Sequence, residues 1–192
     1  MSVALYLGEP RCGKTTLMRS HVYGSRAGVR AFFIVEHRPG DWDGAPFTVA
    51  QLRAAESIPR FCRFPGADPR EVAQLAIDVG DVVLVDDEAD GLFRSGKWHE
   101  NPLLQILKRG EGGIPNAAGD NCAVHALLAT HRPANLPADV VSLSQRIYIG
   151  RLRSFVDAER VYREGWLPDA TSALAAQRLL SSRAVGAFTT WP

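Results

Sequence analysis

No apolar run in the 192 residues approaches the ~18 that a membrane-spanning helix needs, so no such span is expected. The basic-then-apolar opening of a signal peptide is missing too. Cysteine is scarce: Cys12, Cys62 and Cys122 are odd in number and far apart. That spacing suits neither a disulfide framework nor a zinc site, and points to a reducing, cytoplasmic setting. Net charge is nearly absent. Lys plus Arg number 22 and Asp plus Glu 21, a balance of +1. A histone-like or tail-driven nucleic-acid binder is therefore excluded, and any DNA contact must come from a local basic surface. Lysine is rare, at three (Lys14, Lys97, Lys108) among the 22 basic residues, which carries no functional meaning by itself. Internal repeats and low-complexity tails are lacking.

What is present is ordinary globular material, 46% hydrophobic and 22% charged. The length fits one domain over residues 1–192, able to bury roughly 70% of its unfolded surface. Apolar runs alternate with helical patterns. Strands are predicted at Val3–Leu7, Ala31–Val35, Val82–Val85, Ala123–Ala129 and Arg146–Gly150. Phe47–Val49 and Phe61–Phe64 are weaker candidates, and Val185–Thr190 a closing strand. Helices are predicted from Lys14 to His21, at Arg70–Val79, Pro102–Lys108, Phe155–Tyr162 and Ser172–Leu180. Residues 110–121 read as a glycine-rich loop. Alternation of this kind predicts an α/β fold with a mainly parallel central sheet flanked by helices.

Gly8-Glu9-Pro10-Arg11-Cys12-Gly13-Lys14-Thr15 is G-x-x-x-x-G-K-T, placed between a strand and a helix, with Thr16 next. Two glycines let a backbone wrap so that its N–H groups converge on phosphate oxygens. Lys14 would reach the β- and γ-phosphates of ATP, and the Thr15 hydroxyl would ligate Mg2+. The helix N-terminus adds its positive dipole end. Cys12, inside this loop, is a point where an oxidant could act.

Val82–Val85 is followed by Asp86, Asp87 and Glu88. Three adjacent acids repel, so stability alone does not select them. At the carboxyl edge of a parallel sheet they suit metal binding and water activation. Two registers are open. Asp86 is the metal acid and Asp87 the catalytic acid, or Asp87 is the metal acid and Glu88 the catalytic one. Another buried strand ends in Thr130-His131-Arg132-Pro133, where Thr130 or His131 can sense the γ-phosphate.

With these segments, the chain resembles the HerA–FtsK superfamily of P-loop DNA-pumping ATPases from Gly8 to about Phe188. The stretches that carry the resemblance are LLATHRPANLPADVVSLSQRIYIGRL at residues 127–152, VVLVDDEAD at 82–90 and ILKRGEGG at 106–113. His131 stands where glutamine is usual in that family. The resemblance is strongest to the small genome-packaging ATPases of membrane-containing viruses. It implies a RecA/ASCE-like P-loop NTPase, a homo-oligomeric ring (a hexamer) and translocation of double-stranded DNA held by phosphate contacts. It also implies docking at a capsid portal or membrane vertex, in host cytoplasm or virion, without membrane insertion. An arginine from a neighbouring subunit would complete the site, with Arg109 and Arg146 first and Arg132, Arg151 and Arg153 behind them. Residues 110–121, beside Lys108 and Arg109, read as a pore loop or as a plain surface loop.

Two other classes compete. A small-molecule P-loop kinase is disfavoured by the adjacent acids, since a kinase excludes water. A nucleotide-dependent binding module, such as a filamentous-phage assembly ATPase, would show no useful turnover.

Overall fold

The computed structural model describes residues 3–25, 28–93, 100–110 and 112–191. Lys97, and Glu111 of the glycine-rich loop, lie outside the described residues.

Continuous apolar runs become the central strands because both their faces are covered. β1 (Val3–Leu7), β2 (Ala31–Glu36) and β5 (Val82–Asp86) are buried at every position. β3 (Ala45–Pro46) and β4 (Phe61–Pro65) lie between β2 and β5 in the chain. A two-stranded hairpin of β6 (Ile114–Pro115) and β7 (Asn121–Cys122) precedes β8 (Val124–Thr130). β9 (Arg146–Ile149) and β10 (Thr189–Trp191) complete the set. Eight strands form one sheet in the order β10-β9-β1-β8-β5-β2-β4-β3. All pairings are parallel except β10 with β9. Leu7 lies opposite both Thr130 and Ile149, and Asp86 opposite Leu128 and Val35. The carboxyl ends of β1, β2, β5, β8 and β9 therefore share one edge.

Alternation of side chains splits the core in two. Val3, Leu5 and Leu7 join the larger cluster, while Ala4 and Tyr6 face α1 (Lys14–Gly24) and its Met18 and Val22. Full burial of each of those two side chains is worth about 1.5–3 kcal/mol. The larger cluster packs α2 (Val49–Arg53), α3 (Pro69–Val79), α4 (Asp90–Phe93) and α5 (Pro102–Arg109). It also takes in α6 (Ala138–Leu143), α7 (Phe155–Arg163) and α8 (Ala173–Ser181). Side chains cap α2, α3, α5, α7 and α8, namely Thr48, Asp68, Asn101, Ser154 and Ser172. Among the described residues no helix is long and apolar enough to cross a membrane.

Three expectations are corrected. Phe47–Val49 is no strand: β3 stops at Pro46 and Thr48 starts α2 through a capping box with Gln51. Residues 110–121 are not loop throughout, because they hold β6 and the first residue of β7, which pair. The closing strand starts only at Thr189, since residues 183–188 form a turn against the phosphate loop.

Candidate functional site

β1 delivers residues 8–13 to the shared carboxyl edge, and the loop is built to need its glycines. A Cβ on Gly8 would stand 2.5 Å from Cys12 Sγ. Gly13 has φ 97° and a Cβ there would meet Gly186 Cα at 3.2 Å. Arg11 takes a left-handed φ of 62°, a conformation that costs a side-chain-bearing residue energy and that clusters at functional loops. Gly186 N–H donates to the Cys12 carbonyl at 2.9 Å and holds the loop from behind.

Every helix of eight residues or more has a side-chain N-cap except α1, among the described residues. Its first N–H groups have no partner within the helix, and they follow directly on the phosphate loop. Lys14, 4% exposed, lies across that mouth. Its Nζ donates to the carbonyls of Gly8 (2.6 Å) and Glu9 (3.0 Å) and to His131 Nδ1 (2.8 Å). Burial lowers its pKa, while Cys12, Asp90, Asp87 and Glu88 pull it back up. Such an amine, gathered at uncapped N–H groups, is a receptor for several negative charges.

The three acids separate by face. Asp86, the last residue of β5, is fully buried. Its Oδ1 accepts from His37 Nε2 (2.7 Å) and from Glu88 N–H (3.0 Å), and its Oδ2 has no partner. Burial pushes its carboxyl up and His37 draws it back, while the bond to Asp86 raises the His37 imidazole. Asp87 turns to the α1 side, where its Oδ2 accepts from Thr15 Oγ1 and from Trp42 Nε1, both at 3.3 Å. Burial raises its pKa as well. Glu88 stands on the rim, with Arg38 Nη2 at 3.0 Å and His131 Nε2 at 3.7 Å from its Oε1. His37, Asp86 and Asp87 together present ligand atoms within 4.8 Å of one another.

β8 supplies His131. The hydroxyl of Thr130 is committed, donating to Asp90 Oδ1 at 2.7 Å and accepting from Arg132 N–H at 2.9 Å. His131 is thus the side chain at the strand tip that faces the loop. The resulting cleft, of about 350 Å³, is lined by the phosphate loop with Thr15, Thr16, Arg19, Arg38, Asp41, Asp87, Glu88, His131 and Val185. A second cleft opens on the other side of Glu88 and His131, where Asp90, Arg132, Arg153 and Asp157 contribute.

The five candidate arginines fall into three groups. Arg151 and Arg153 pair with Glu9 of their own phosphate loop. Arg132 is exposed beside Glu88 in the second cleft. Arg109 ends α5 and Arg146 opens β9, so both lie at the amino edge of the sheet, opposite the loop. Neither reaches the cleft of its own chain, and any part they take in chemistry there runs through a second copy. The hairpin of β6 and β7 occupies that same amino edge, where Ala117 N–H reaches the Asp78 carbonyl and Val124 N–H the Gly110 carbonyl.

His37, Arg38, Asp41 and Trp42 were not singled out in the sequence. A signal was there: EHRPGDWD follows an apolar strand, as DDEAD and THRP do, and carboxyl ends of neighbouring parallel strands converge. Val185 and Gly186 gave no such sign, since a turn far along the chain meets the loop only in the folded state.

The sequence matches no family model and no curated protein. The fold does have solved counterparts. A genome packaging NTPase, B204 from Sulfolobus turreted icosahedral virus 2 in complex with ATP-gammaS, is similar with a TM-score of 0.70 at 17% identity, over 98% of this chain and 90% of that one. The cytoplasmic domain of the type VII secretion ATPase EccC from Thermomonospora curvata is similar with a TM-score of 0.56 at 14% identity, over 94% of this chain and 22% of that one. The pCW3 conjugation coupling protein TcpA with ATPgS gives 0.54 at 11%, over 98% and 59%. The chain has the fold of the P-loop NTPases, and the resemblance read from the sequence is borne out at the level of fold.

Proposed function

We propose that this chain is an ATP-hydrolysing motor domain that translocates double-stranded DNA, in the manner of a viral genome-packaging ATPase. The observation that carries the reading is the meeting of Thr15 and Asp87 at 3.3 Å in the cleft that Lys14 also lines, with Glu88 and His131 on the rim. That is one place for a polyphosphate, one for a divalent ion and one acid facing water.

ATP binds along Gly8, Glu9, Pro10, Arg11, Cys12, Gly13, Lys14, Thr15 and Thr16. Lys14 exchanges its loop carbonyls for the terminal phosphate oxygens and stabilises the charge that develops as the phosphoryl leaves. The Thr15 hydroxyl and Asp87 carboxylate, oxygen donors facing each other, fit Mg2+ and would hold it, its charge neutralising the phosphate oxygens. Asp86, locked to His37 on the other face, shapes the strand end. Glu88 orients the attacking water, and His131 contacts the terminal phosphate from the tip of β8. A ring of copies, a hexamer, brings an arginine of the neighbour to the second cleft, beside Glu88 and Asp90. DNA is held by its phosphates, and the basic end of α5 with the hairpin of β6 and β7 offers the place, at the edge opposite the nucleotide.

A steady-state phosphate-release assay with and without double-stranded DNA tests this, with Lys14→Ala as the reference. The parent should hydrolyse ATP, DNA should raise the rate, and Lys14→Ala should lose about a hundredfold or more. Because the grip is on phosphates, stimulation should fall steeply with salt. Equal rates in parent and Lys14→Ala would overturn the reading.

A further inference from the structure

Strand order orients the nucleotide. β8, β5 and β2 lie on one side of β1, and they carry His131, Asp87 with Glu88, and Arg38 at their carboxyl ends. β9 and β10 lie on the other side. A triphosphate whose terminal phosphoryl faces the first group must point its nucleoside toward the second. The cleft wall there is the turn between α8 and β10, and the side chain it presents is Val185, 61% exposed.

This turn is bolted in place. Gly186 N–H donates to the Cys12 carbonyl, Ala187 N–H to the Ala184 carbonyl at 3.2 Å, and Arg183 to Thr189 Oγ1 at 2.5 Å and to the Ile149 carbonyl. Phe188 packs on Gly150 so closely that a Cβ there would stand 2.8 Å from its ring. The N–H groups of Arg183, Gly186 and Ala187 and the carbonyl of Ala184 are thus spent inside the fold. Arg11, Thr16 and Arg19 also line the cleft, and among the described residues no Asn or Gln does. An isopropyl group and a planar guanidinium hold a base by its face. Reading its edge needs a donor and an acceptor fixed side by side, as a carboxamide supplies.

We infer that the cleft takes nucleoside triphosphates with little regard to the base, seating the base against Val185. The inference rests on the phosphate-loop reading above and names its substrate class: nucleoside triphosphates in general, GTP as well as ATP. Sites that hydrogen-bond a distinguishing group reject the wrong partner by about 10⁴-fold or more, whereas an apolar contact discriminates by about 10- to 200-fold at most.

Calorimetry with magnesium and the β,γ-imido analogues of ATP and GTP, beside inorganic triphosphate, separates the possibilities. The two analogues should bind within about tenfold of each other, and both more tightly than triphosphate. Val185→Asp should weaken both analogues equally and leave triphosphate unchanged. Val156→Asp, at an equally exposed apolar residue of α7 outside this cleft, should change neither. Preference for the ATP analogue by more than about a hundredfold would overturn the inference and leave the phosphate-loop reading standing. So would analogues that bind no better than triphosphate, or a Val185→Asp effect on one base only. If triphosphate and both analogues all fail to bind, the phosphate-loop reading falls and the inference with it.

Discussion

The Nζ of Lys14 lies 2.8 Å from the Nδ1 of His131, tying the phosphate loop to the tip of β8. The other ring nitrogen of His131, Nε2, lies 3.7 Å from Glu88 Oε1. One imidazole therefore stands between the group that would hold the terminal phosphate and the acid that would direct water at it.

Replacing that imidazole should expose the connection. His131→Ala should lower the hydrolysis rate by about a hundredfold, the size expected when a polar contact made at the reacting phosphate is lost. His131→Gln, which restores one acceptor and one donor, should recover most of it. Turnover rates with saturating ATP check this, and equal rates in the parent and His131→Ala would remove His131 from the chemistry.

The acids should part company by face. Glu88→Gln should keep nucleotide binding and lose turnover by about a hundredfold or more. Asp87→Asn should weaken binding only when magnesium is present, because the Thr15–Asp87 pair is lost. Asp86→Asn should leave magnesium dependence alone and lower thermal stability, since a neutral amide holds His37 less strongly than the carboxylate. Titrations of ATP with and without magnesium distinguish the three, and a magnesium-dependent defect in Asp86→Asn would move the metal site to the other face.

Two histidines should give opposite pH signatures. Burial holds His21 below its usual pKa, and its Nδ1 lies in hydrogen-bond contact with the Tyr6 hydroxyl at 2.6 Å. The unfolded chain binds a proton there that the folded chain refuses, so this contribution is lost as pH falls below about 6.5. His37 is raised by its bond to Asp86, so its contribution is full below about 6.5 and is lost as pH rises through the raised value. Urea midpoints across this range should fall less steeply on the acid side in His21→Phe, and less steeply on the alkaline side in His37→Gln.

Assembly should govern activity. Specific activity should rise with protein concentration, and loss of the donated arginine should cost about 10³-fold. Lys14→Ala subunits, inactive but with sound arginines, should rescue subunits lacking the donated one. Arg109→Ala and Arg146→Ala test the amino edge, and Arg132→Ala tests the exposed arginine beside Glu88. A protein that stays monomeric with ATP and DNA, yet hydrolyses at full rate, would exclude a ring.

What could be read in the sequence depended on how local the cause was. Val3–Leu7 announces itself, because an apolar run bounded by a glycine-rich loop has few other uses, and the observed β1 has those bounds. Thr48 and Gln51 also carry a local signal, a capping box, but three apolar-leaning residues around them looked like strand. The separation of Asp86 from Asp87 follows from strand alternation, yet its sense depends on which face α1 covers. The amino-edge location of Arg109 and Arg146 depends on chain direction in a sheet whose order no short window contains.

The position of β1 also bears on how the chain reaches this state. Its two neighbours, β8 and β9, come about 120 to 140 residues later in the sequence. Closing loops of that length is entropically costly, and sheets made of such distant pairings form slowly. During synthesis β1 emerges long before either partner and waits with both edges unpaired. The phosphate loop, slung from the end of that strand and backed by a turn near residue 186, is consequently among the last parts of the molecule that can take shape.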